Sequence, residues 1–232
     1  RTIRVNRLDK KAYNSCLALP GVLIYVLIFV IPTFASFYFS MTTWNLKTST
    51  FIGLKNFYTF FTMTSTRSAL VNTAIYAGAT CLAKVVLGLL LAQYLCSGRR
   101  NAEYLKSLIF FPTLLGNVVV GIAFESIMKP NGILNQALQA FGLPAVKWLT
   151  DSRWALASCI FVDVWIGIGT ATLIYIAGLS SISKTYYEAA VIDGASSHKS
   201  FMKITLPLMV PSINTVLTLS LIGGLRSYEL VY

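Results

Sequence analysis

Charged residues are scarce in this chain of 232 amino acids. They make up 12% of it, about half of the roughly 25% that is usual in soluble globular domains. Acidic residues are the scarcer kind, with 8 Asp and Glu against 19 Lys and Arg. The run from Cys16 to Phe39 has no charge, and Asp163 alone interrupts the run from Cys159 to Ser183. A soluble core accounts for one such run but not for several, so the composition argues against a soluble domain.

Cysteine and histidine are also few. The four cysteines are Cys16, Cys81, Cys96 and Cys159, and they lie in or beside apolar segments without a C-x-x-C pair. Buried cysteine usually behaves as a small hydrophobe, so we expect no disulfide and no metal site. The single histidine, His198, cannot form a metal site by itself.

Signals for nucleic-acid or nucleotide binding are weak. The net charge of +11 would indicate a nucleic-acid partner in a soluble protein, but membrane proteins retain Lys and Arg on the cytoplasmic side. We therefore expect no nucleic-acid partner. The stretch from Gly194 to Ser200 only superficially resembles a phosphate-binding loop, because it lacks the second glycine of the G-x-x-x-x-G-K-[ST] pattern.

Long apolar runs dominate the chain instead. A helix needs about 20 predominantly apolar residues to cross roughly 30 Å of hydrocarbon. The sequence predicts five spans, at residues 16–40, 70–96, 105–128, 154–179 and 206–229, and therefore an all-α polytopic membrane protein. The first run is too long for the apolar region of a signal peptide. We interpret it as an uncleaved first span that begins a transmembrane domain over residues 16–232.

Basic residues indicate the orientation. Eleven Lys and Arg lie in segments 1–15, 97–107 and 180–205, against six in segments 42–69 and 129–153. Because cytoplasmic loops are enriched in Lys and Arg, we expect the amino-terminal segment 1–15 and the loop 180–205 to lie in the cytoplasm, in a multi-pass protein of the plasma or inner membrane.

The outer segment 129–153 contains turn sequences, Pro130-Asn131-Gly132 and Gly142-Leu143-Pro144. Between them, apolar residues recur at helical spacing, at positions Ile133, Leu134, Ala137, Leu138 and Phe141. We expect a short amphipathic helix there. It has no cationic face for a membrane surface, so we expect it to pack against another span.

The loop 180–205 is longer and better defined than a simple turn. Residues Glu188 to Ile192 are helix-forming, and Gly194 supplies the permissive backbone that ends a helix. Pro207 suits the first turn of the next span. These signals predict two short helices joined by a turn. A folded cytoplasmic loop with a small, Ala-rich helix face indicates a partner protein that approaches closely.

In this loop the pattern E-A-A, three residues, G, nine residues, I-x-L-P resembles the signature of permease subunits of ABC-type importers. All seven fixed positions match: Glu188, Ala189, Ala190, Gly194, Ile204, Leu206 and Pro207. Further segments look like the carbohydrate branch, which includes the maltose permease and sugar and glycerol-phosphate permeases. They are residues 51–57, 110–112, 131–135, 164–165 and 177–182. Family members have a sixth span after the fifth, so the resemblance leads us to expect a sequence trimmed at its carboxyl end.

The resemblance implies the type I importer permease fold and a chain that is not itself an enzyme. In that family two permease subunits assemble with two cytoplasmic ATPase subunits and an external solute-binding protein. The partners would bind ATP and Mg²⁺, so this chain would hold no cofactor. Its coupling residues would be the seven signature residues and Asp193, with the loop docked in an ATPase cleft. Glu188 would then form a salt bridge or hydrogen bond with the ATPase, or would only cap the helix to which it belongs.

The same resemblance implies a solute pathway on the fourth and fifth spans. Positions matching sugar contacts of the maltose permease are Ile166, Gly167, Thr170, Ser220, Gly223, Gly224 and Ser227. Gly223 and Gly224 replace a bulkier aromatic residue and an amide, which implies a roomier passage and a different sugar. Tyr228 would offer a flat surface on which sugars stack, or would simply pack.

Polar residues within the spans are further pathway candidates, because such groups usually face a cavity or a partner. They are Asn72, Lys84, Asn117, Glu125, Asp163, Asn214, Arg226 and Glu229. We expect a sugar, either a mono- or an oligosaccharide, as the solute, although Arg226 favours an anion such as glycerol phosphate. An ion-coupled secondary transporter is the alternative of another class, but the inverted repeat often found in such proteins is not visible. The polar span residues also argue against a non-transporting scaffold.

Overall fold

The computed structural model describes residues 18–45, 47–98 and 101–227, which are mostly helical. Segment 1–15, Cys16, Tyr228 and Glu229 therefore lie outside the described residues. The helices are α1 (Leu19–Tyr25), α2 (Ile31–Ser40), α3 (Lys55–Thr62), α4 (Thr64–Cys96), α5 (Ala102–Phe110), α6 (Asn117–Met128), α7 (Ile133–Ala140), α8 (Ala155–Ser181), α9 (Lys184–Ile192), α10 (Ser197–Ser200), α11 (Leu206–Leu208) and α12 (Val210–Leu225). A π-helical turn (Val26–Val30) joins α1 to α2, a 3-10 turn (Phe111–Leu114) extends α5, and a second π-helical turn (Phe201–Thr205) joins α10 to α11.

The predicted spans have helical counterparts. Among the described residues, three helical segments are long and apolar enough to cross a membrane, namely Leu19–Ser40, Thr64–Cys96 and Ala155–Ser181. Two bent helix pairs raise the number to five if each pair counts as one span. The structure thus agrees with the prediction of a mostly helical chain with several candidate spans.

The third predicted span, 105–128, is not one straight helix. A bend of 101° separates Ala102–Leu114 from Asn117–Ala140. Pro112 lacks the N–H that an uninterrupted helix would use, and Leu115 and Gly116 have extended backbones with ψ of 139°. The chain therefore turns sharply at these two residues, which the apolar pattern alone did not indicate.

The helical segment that leads into the fifth span begins earlier than the predicted span start at residue 206. The side chain of Ser196 accepts a hydrogen bond from the Lys199 N–H at 3.4 Å and starts α10. The chain remains helical through the π-helical turn and α11 to Leu208, and a bend of 63° then separates it from α12. The second helix of the loop thus runs directly into the span instead of ending before it.

Glycines allow α8 to approach its neighbours closely. A Cβ at Gly169 would lie 2.6 Å from the carbonyl oxygen of Ile109, next to the 3-10 turn. On α4, a Cβ at Gly88 would lie 3.0 Å from Ala171 Cβ. Small residues at such contacts are the usual means by which membrane helices pack. Buried apolar residues fill the rest of the core, in one cluster of Ala92, Ala171, Tyr175, Met209 and Val216 and another of Val120, Met128, Val162 and Ile166.

The chain divides into two compact units, Arg1–Ser68 and Ala69–Tyr232. The first contains an antiparallel hairpin that the sequence did not predict, formed by β1 (Thr42–Trp44) and β2 (Ser49–Phe51). The amide nitrogen of Asn56 donates hydrogen bonds to the carbonyl oxygens of Ser40 and Thr42, both at 3.0 Å. One side chain of α3 therefore fixes the end of the first span and the start of the hairpin.

The short helix predicted in the outer segment is α7, but its burial differs from the prediction. Ile133 and Phe141 are exposed, whereas Asn135 is only 1% exposed. The Asn135 side-chain oxygen accepts hydrogen bonds from the Val146 N–H at 3.0 Å and from Trp148 Nε1 at 3.1 Å, and its nitrogen donates to the Val146 carbonyl at 3.0 Å. A buried amide with its partners, not an apolar face, thus holds this segment together.

Candidate functional site

The first helix of the loop, α9, has a defined start and end. At its start the Ser183 hydroxyl accepts a hydrogen bond from the Thr185 N–H at 3.3 Å. At its end Gly194 has φ of +68°, and the Ala195 N–H donates to the Ala190 carbonyl at 2.9 Å. This left-handed closure favours glycine. A Cβ at Gly194 would meet no atom within 4 Å, so its backbone conformation and not a lack of space calls for glycine.

Opposite sides of α9 differ in exposure. Ala190 is buried, with 7% exposed, while Ile192 is 86% exposed. Glu188 and Ala189 are also exposed, and residues three and four apart share one helix side. Glu188, Ala189 and Ile192 therefore form one exposed surface, which we call the docking face because the family resemblance implies that this loop docks on an ATPase. Asp193 lies just beyond it, at the carboxyl-terminal cap of the helix.

A side-chain hydrogen bond ties α9 to the fifth span. The Tyr187 hydroxyl lies 2.9 Å from Thr205 Oγ1, and Thr205 is buried in the π-helical turn that leads into α11. Ile204 and Leu206 on either side are half-buried, and Pro207 lies in the first turn of α11. The signature residues that follow Gly194 thus form the helical connection between the loop and the span.

Two cavities lie at opposite ends of the bundle of unit Ala69–Tyr232, and we name them inner and outer after the orientation expected from the sequence. The inner cavity, of about 860 Å³, lies beside α9 and the carboxyl ends of α4 and α8, and Lys184, Tyr187 and Val191 line it. The outer cavity, of about 630 Å³, lies between the amino-terminal parts of α4 and α8 and the end of α12. Both volumes are in the range of small-molecule sites.

Both polar and apolar residues line the outer cavity, and among the described residues the lining includes one cation. Asn72, Tyr76, Arg226 and Ser227 line it together with Gly224. The hydroxyl groups of Tyr76 and Ser227 lie 3.0 Å apart and form a hydrogen bond between α4 and the end of α12. The cavity thus offers amide, hydroxyl and guanidinium groups to a solute.

A buried ion pair joins the middle of α4 to α8. Lys84 Nζ lies 2.7 Å from Asp163 Oδ2, and the two side chains are only 8% and 16% exposed. An unpaired charge at this depth in a membrane would be unfavourable. The pair therefore links the two helices and leaves neither charge without a partner, so these two polar span residues meet at a helix interface.

The predicted pathway residues differ in burial and surroundings. Gly224 and Ser227 line the outer cavity. Of the other pathway residues, Ile166 is buried in the core, Gly167 lies against Lys84, Thr170 and Gly223 are exposed, Ser220 is buried and Tyr228 lies outside the described residues. The solute contacts inferred for this set stay predictions.

The remaining polar span residues have different surroundings. Asn72 and Arg226 line the outer cavity, whereas Glu125 pairs with Lys129 at 3.5 Å on the surface. Asn117 and Asn214 are exposed, and Glu229 lies outside the described residues. Sequence reasoning overlooked the contacts of Tyr76, Tyr187 and Thr205. Tyr187 and Thr205 are next to signature residues in the sequence, and this position was the only feature of the sequence that could have pointed to them.

The chain is similar to known transport proteins. A family model described as "Binding-protein-dependent transport system inner membrane component" matches residues 84–231. The arabinooligosaccharides transport system permease protein AraP of Bacillus subtilis is 33% identical over 227 residues, which cover 97% of this chain and 72% of AraP. The multiple sugar-binding transport system permease protein MsmF of Streptococcus mutans is 28% identical over 241 residues, covering 98% of this chain and 79% of MsmF.

A solved structure has the same fold. It is the crystal structure of a bacterial ABC transporter involved in the import of the acidic polysaccharide alginate, and one of its chains matches with a TM-score of 0.77. The match covers 91% of this chain and 73% of that chain at 24% sequence identity. The predicted fold of a type I importer permease is thereby confirmed.

Proposed function

Because this chain belongs to the family of binding-protein-dependent transport system inner membrane components, we propose that it is a permease subunit of an ATP-driven importer of sugars. Its relatives AraP and MsmF are named for the transport of arabinooligosaccharides and multiple sugars. The resemblance of the loop signature to that of ABC permeases supports the same assignment. An oligosaccharide is therefore the solute we propose.

The single observation that carries the proposal is the link between the docking face and the fifth span. The docking face projects from α9 with an exposed isoleucine, Ile192. The other side of the same helix is fixed to the span by the hydrogen bond between Tyr187 and Thr205. A force applied at the docking face would therefore reach the membrane helix without passing through a flexible linker.

We propose a separate role for each subunit of the importer. An ATPase subunit binds each docking face, and ATP and Mg²⁺ are bound by the ATPases, so this chain needs no cofactor. A second permease subunit completes the passage, and an external binding protein delivers the sugar to the outer side. Glu188, Ala189, Ala190, Asp193 and Gly194 shape the docking helix, while the residues around Pro207 carry its motion into α12.

The proposed orientation places the amino terminus and the inner cavity in the cytoplasm and the outer cavity outside. The excess of Lys and Arg in the segments at the inner end supports it. Single cysteines introduced at Ser197 and Leu143 test it, since both positions are exposed. A membrane-impermeant thiol reagent applied to intact cells should label position 143 and spare position 197. Labelling of position 197 from outside would show that the orientation is the opposite of the proposed one.

The proposed transport function is tested with the purified permease pair, its ATPases and its binding protein in liposomes. Arabinooligosaccharide uptake should require ATP inside the liposomes. The variant Ile192→Asp should lose most of the ATPase association and uptake, because a charge replaces an apolar contact. A matched control, Leu143→Asp on the outer side, should keep both. Uptake without nucleotide hydrolysis, driven by an ion gradient, would instead support a secondary transporter.

An anionic solute is the second candidate, favoured by the outer cavity. Arg226 lines it, and no Asp or Glu does so in the described part of the chain. The carboxylate of Asp151, next to the lining residue Ser152, is already hydrogen-bonded to Arg153 at 3.1 Å, which holds the pKa of Asp151 below its ordinary value. The variant Arg226→Gln separates the candidates, since it should impair uptake of glycerol phosphate far more than uptake of a neutral sugar.

A further inference from the structure

The inner cavity contains basic residues without acidic counterparts. Lys106 of α5 and Lys184 at the start of α9 both line it. No Asp or Glu is among its lining residues, as far as the chain is described. Neither lysine forms an ion pair with a described carboxylate. Among the described lining residues, the positive charges therefore have no carboxylate beside them, and the cavity is complementary to an anion.

Neutral hydrogen-bonding groups accompany the two lysines. The hydroxyl groups of Ser197 and Ser200 and the amide of Gln93 line the same cavity. Phosphate oxygens accept hydrogen bonds from ammonium, hydroxyl and amide donors, and the bonds from charged donors are the strongest of these. This set of donors suits a phosphate group.

Much of the remaining cavity wall is apolar. Ile176 and Leu179 come from the end of α8, and Phe201 comes from the π-helical turn at the start of the fifth span. A free phosphate ion would leave these side chains without a partner. A molecule with both a phosphate and a hydrocarbon part would use the whole cavity, and a membrane supplies such a molecule in its phospholipids.

We propose that the inner cavity binds the phosphate headgroup of an anionic phospholipid, with Lys106 and Lys184 as the charged contacts and the apolar wall against its acyl chains. Basic pockets between membrane helices on the cytoplasmic side are known to bind such headgroups. This inference goes beyond the proposed transport function. It rests only on the proposed orientation of the chain in the membrane. Tyr187 and Thr205 line the same cavity, so the bound lipid lies beside the hydrogen bond that ties α9 to the fifth span.

The test measures lipid binding directly. The complete importer is purified in mild detergent and titrated with fluorescently labelled phosphatidylglycerol, and in parallel with labelled phosphatidylcholine. The wild-type complex should prefer phosphatidylglycerol. The double variant Lys106→Gln/Lys184→Gln should bind phosphatidylglycerol more weakly, by roughly fivefold for each lysine removed. The variant Lys106→Arg/Lys184→Arg keeps both charges and should retain the binding.

A matched control removes the same number of charges elsewhere. Lys129 and Lys147 lie in the outer segment and are exposed, so Lys129→Gln/Lys147→Gln should bind phosphatidylglycerol as the wild type does. Equal affinity for the two lipids, or the same loss in the control, would overturn the proposal. Displacement of the lipid by an equal concentration of inorganic phosphate would also overturn it, because the site would then recognise a free ion. None of these measurements requires a transported solute, so they stay separate from the test of sugar import.

Discussion

Gly167 of α8 lies directly against the side chain of Lys84 from α4. A Cβ at position 167 would be 2.5 Å from Lys84 Cε and 2.8 Å from its Nζ. Asp163, which binds that ammonium group at 2.7 Å, precedes the glycine by about one helical turn. The missing side chain at position 167 thus provides the space in which the lysine reaches its carboxylate.

The variant Gly167→Ala should weaken the packing of α4 against α8. The added methyl group must displace the lysine, and overpacking of this kind costs about 1–3 kcal/mol. We expect a lower melting temperature of the purified permease in detergent. Gly78→Ala on α4 is the control, because a Cβ there meets no atom within 4 Å. Equal melting temperatures for both variants would show that the lysine moves aside freely.

The ion pair itself is tested with three variants, Lys84→Met, Asp163→Leu and the double variant. Each single change leaves one buried charge without its partner, which is expected to cost about 3–5 kcal/mol. The double variant leaves no unpaired charge and should be more stable than either single variant. Thermal unfolding of the purified permease measures this. Additive losses in the double variant would contradict the assignment of a paired contact.

Sequence reasoning succeeded where a local signal was strong and failed where tertiary contacts decide. The apolar runs predicted the positions of the spans, and Gly194 correctly marked the end of α9. The break near Gly116 was missed, because Pro112 and Gly116 are both common within membrane helices and neither alone specifies a bend. The burial of Asn135 was missed because the periodicity argument assigns the buried side of a helix from its apolar residues, and asparagine is polar. A buried amide is stable only when its partners, here brought by the chain near Trp148, are in place.

For the candidate site, too, sequence reasoning predicted the local structure but not the tertiary contacts. The signature residues predicted a folded loop, and α9 is present with Glu188 on an exposed face. The pathway residues were instead transferred from a relative by counting along the helices. Such a count gives the position of a residue on its helix but not the residues that it contacts. Gly167 lies against Lys84, which is 83 positions away in the sequence, and spacing within one helix does not reveal such a contact.

The variant Tyr187→Phe should loosen the loop from the fifth span while leaving α9 intact. It removes only the hydroxyl that lies 2.9 Å from Thr205 Oγ1, a bond with a net contribution of about 0.5–1.5 kcal/mol. We expect ATP hydrolysis by the reconstituted importer to continue and sugar uptake per ATP to fall. Tyr186→Phe is the matched control, since Tyr186 is 56% exposed. A reduced ratio in the control as well would attribute the effect to the loop in general.

Substitutions of Gly194 should follow backbone preference and not side-chain size. Its φ of +68° is unfavourable for residues with a Cβ, by roughly 1–2 kcal/mol, and asparagine adopts it more readily than most. Gly194→Val should therefore uncouple sugar uptake from ATP hydrolysis, whereas Gly194→Asn should retain most of the coupling. The ratio of sugar imported to ATP hydrolysed distinguishes the two variants. If both variants transported normally, the closure of α9 at this residue would not matter for coupling.

Gly223 and Gly224 are adjacent on α12 but should respond differently to the same change. A Cβ at Gly224 would lie 2.8 Å from the Cα of Ala77 and 3.2 Å from Thr80 Oγ1, whereas one at Gly223 meets no atom within 4 Å. Backbone atoms of α4 cannot move aside as a side chain can, so Gly224→Ala should separate the two helices and lower the melting temperature of the permease.

Gly223→Ala should leave that melting temperature nearly unchanged, and its effect on sugar uptake then reports on the solute pathway alone. A bulky residue at position 224 would block uptake through disrupted packing, whether or not the solute passes there, so position 223 is the better probe of the pathway. Gly223→Trp with normal folding and lost uptake would support a passage along α12. Normal uptake by that variant would exclude position 223 from the passage.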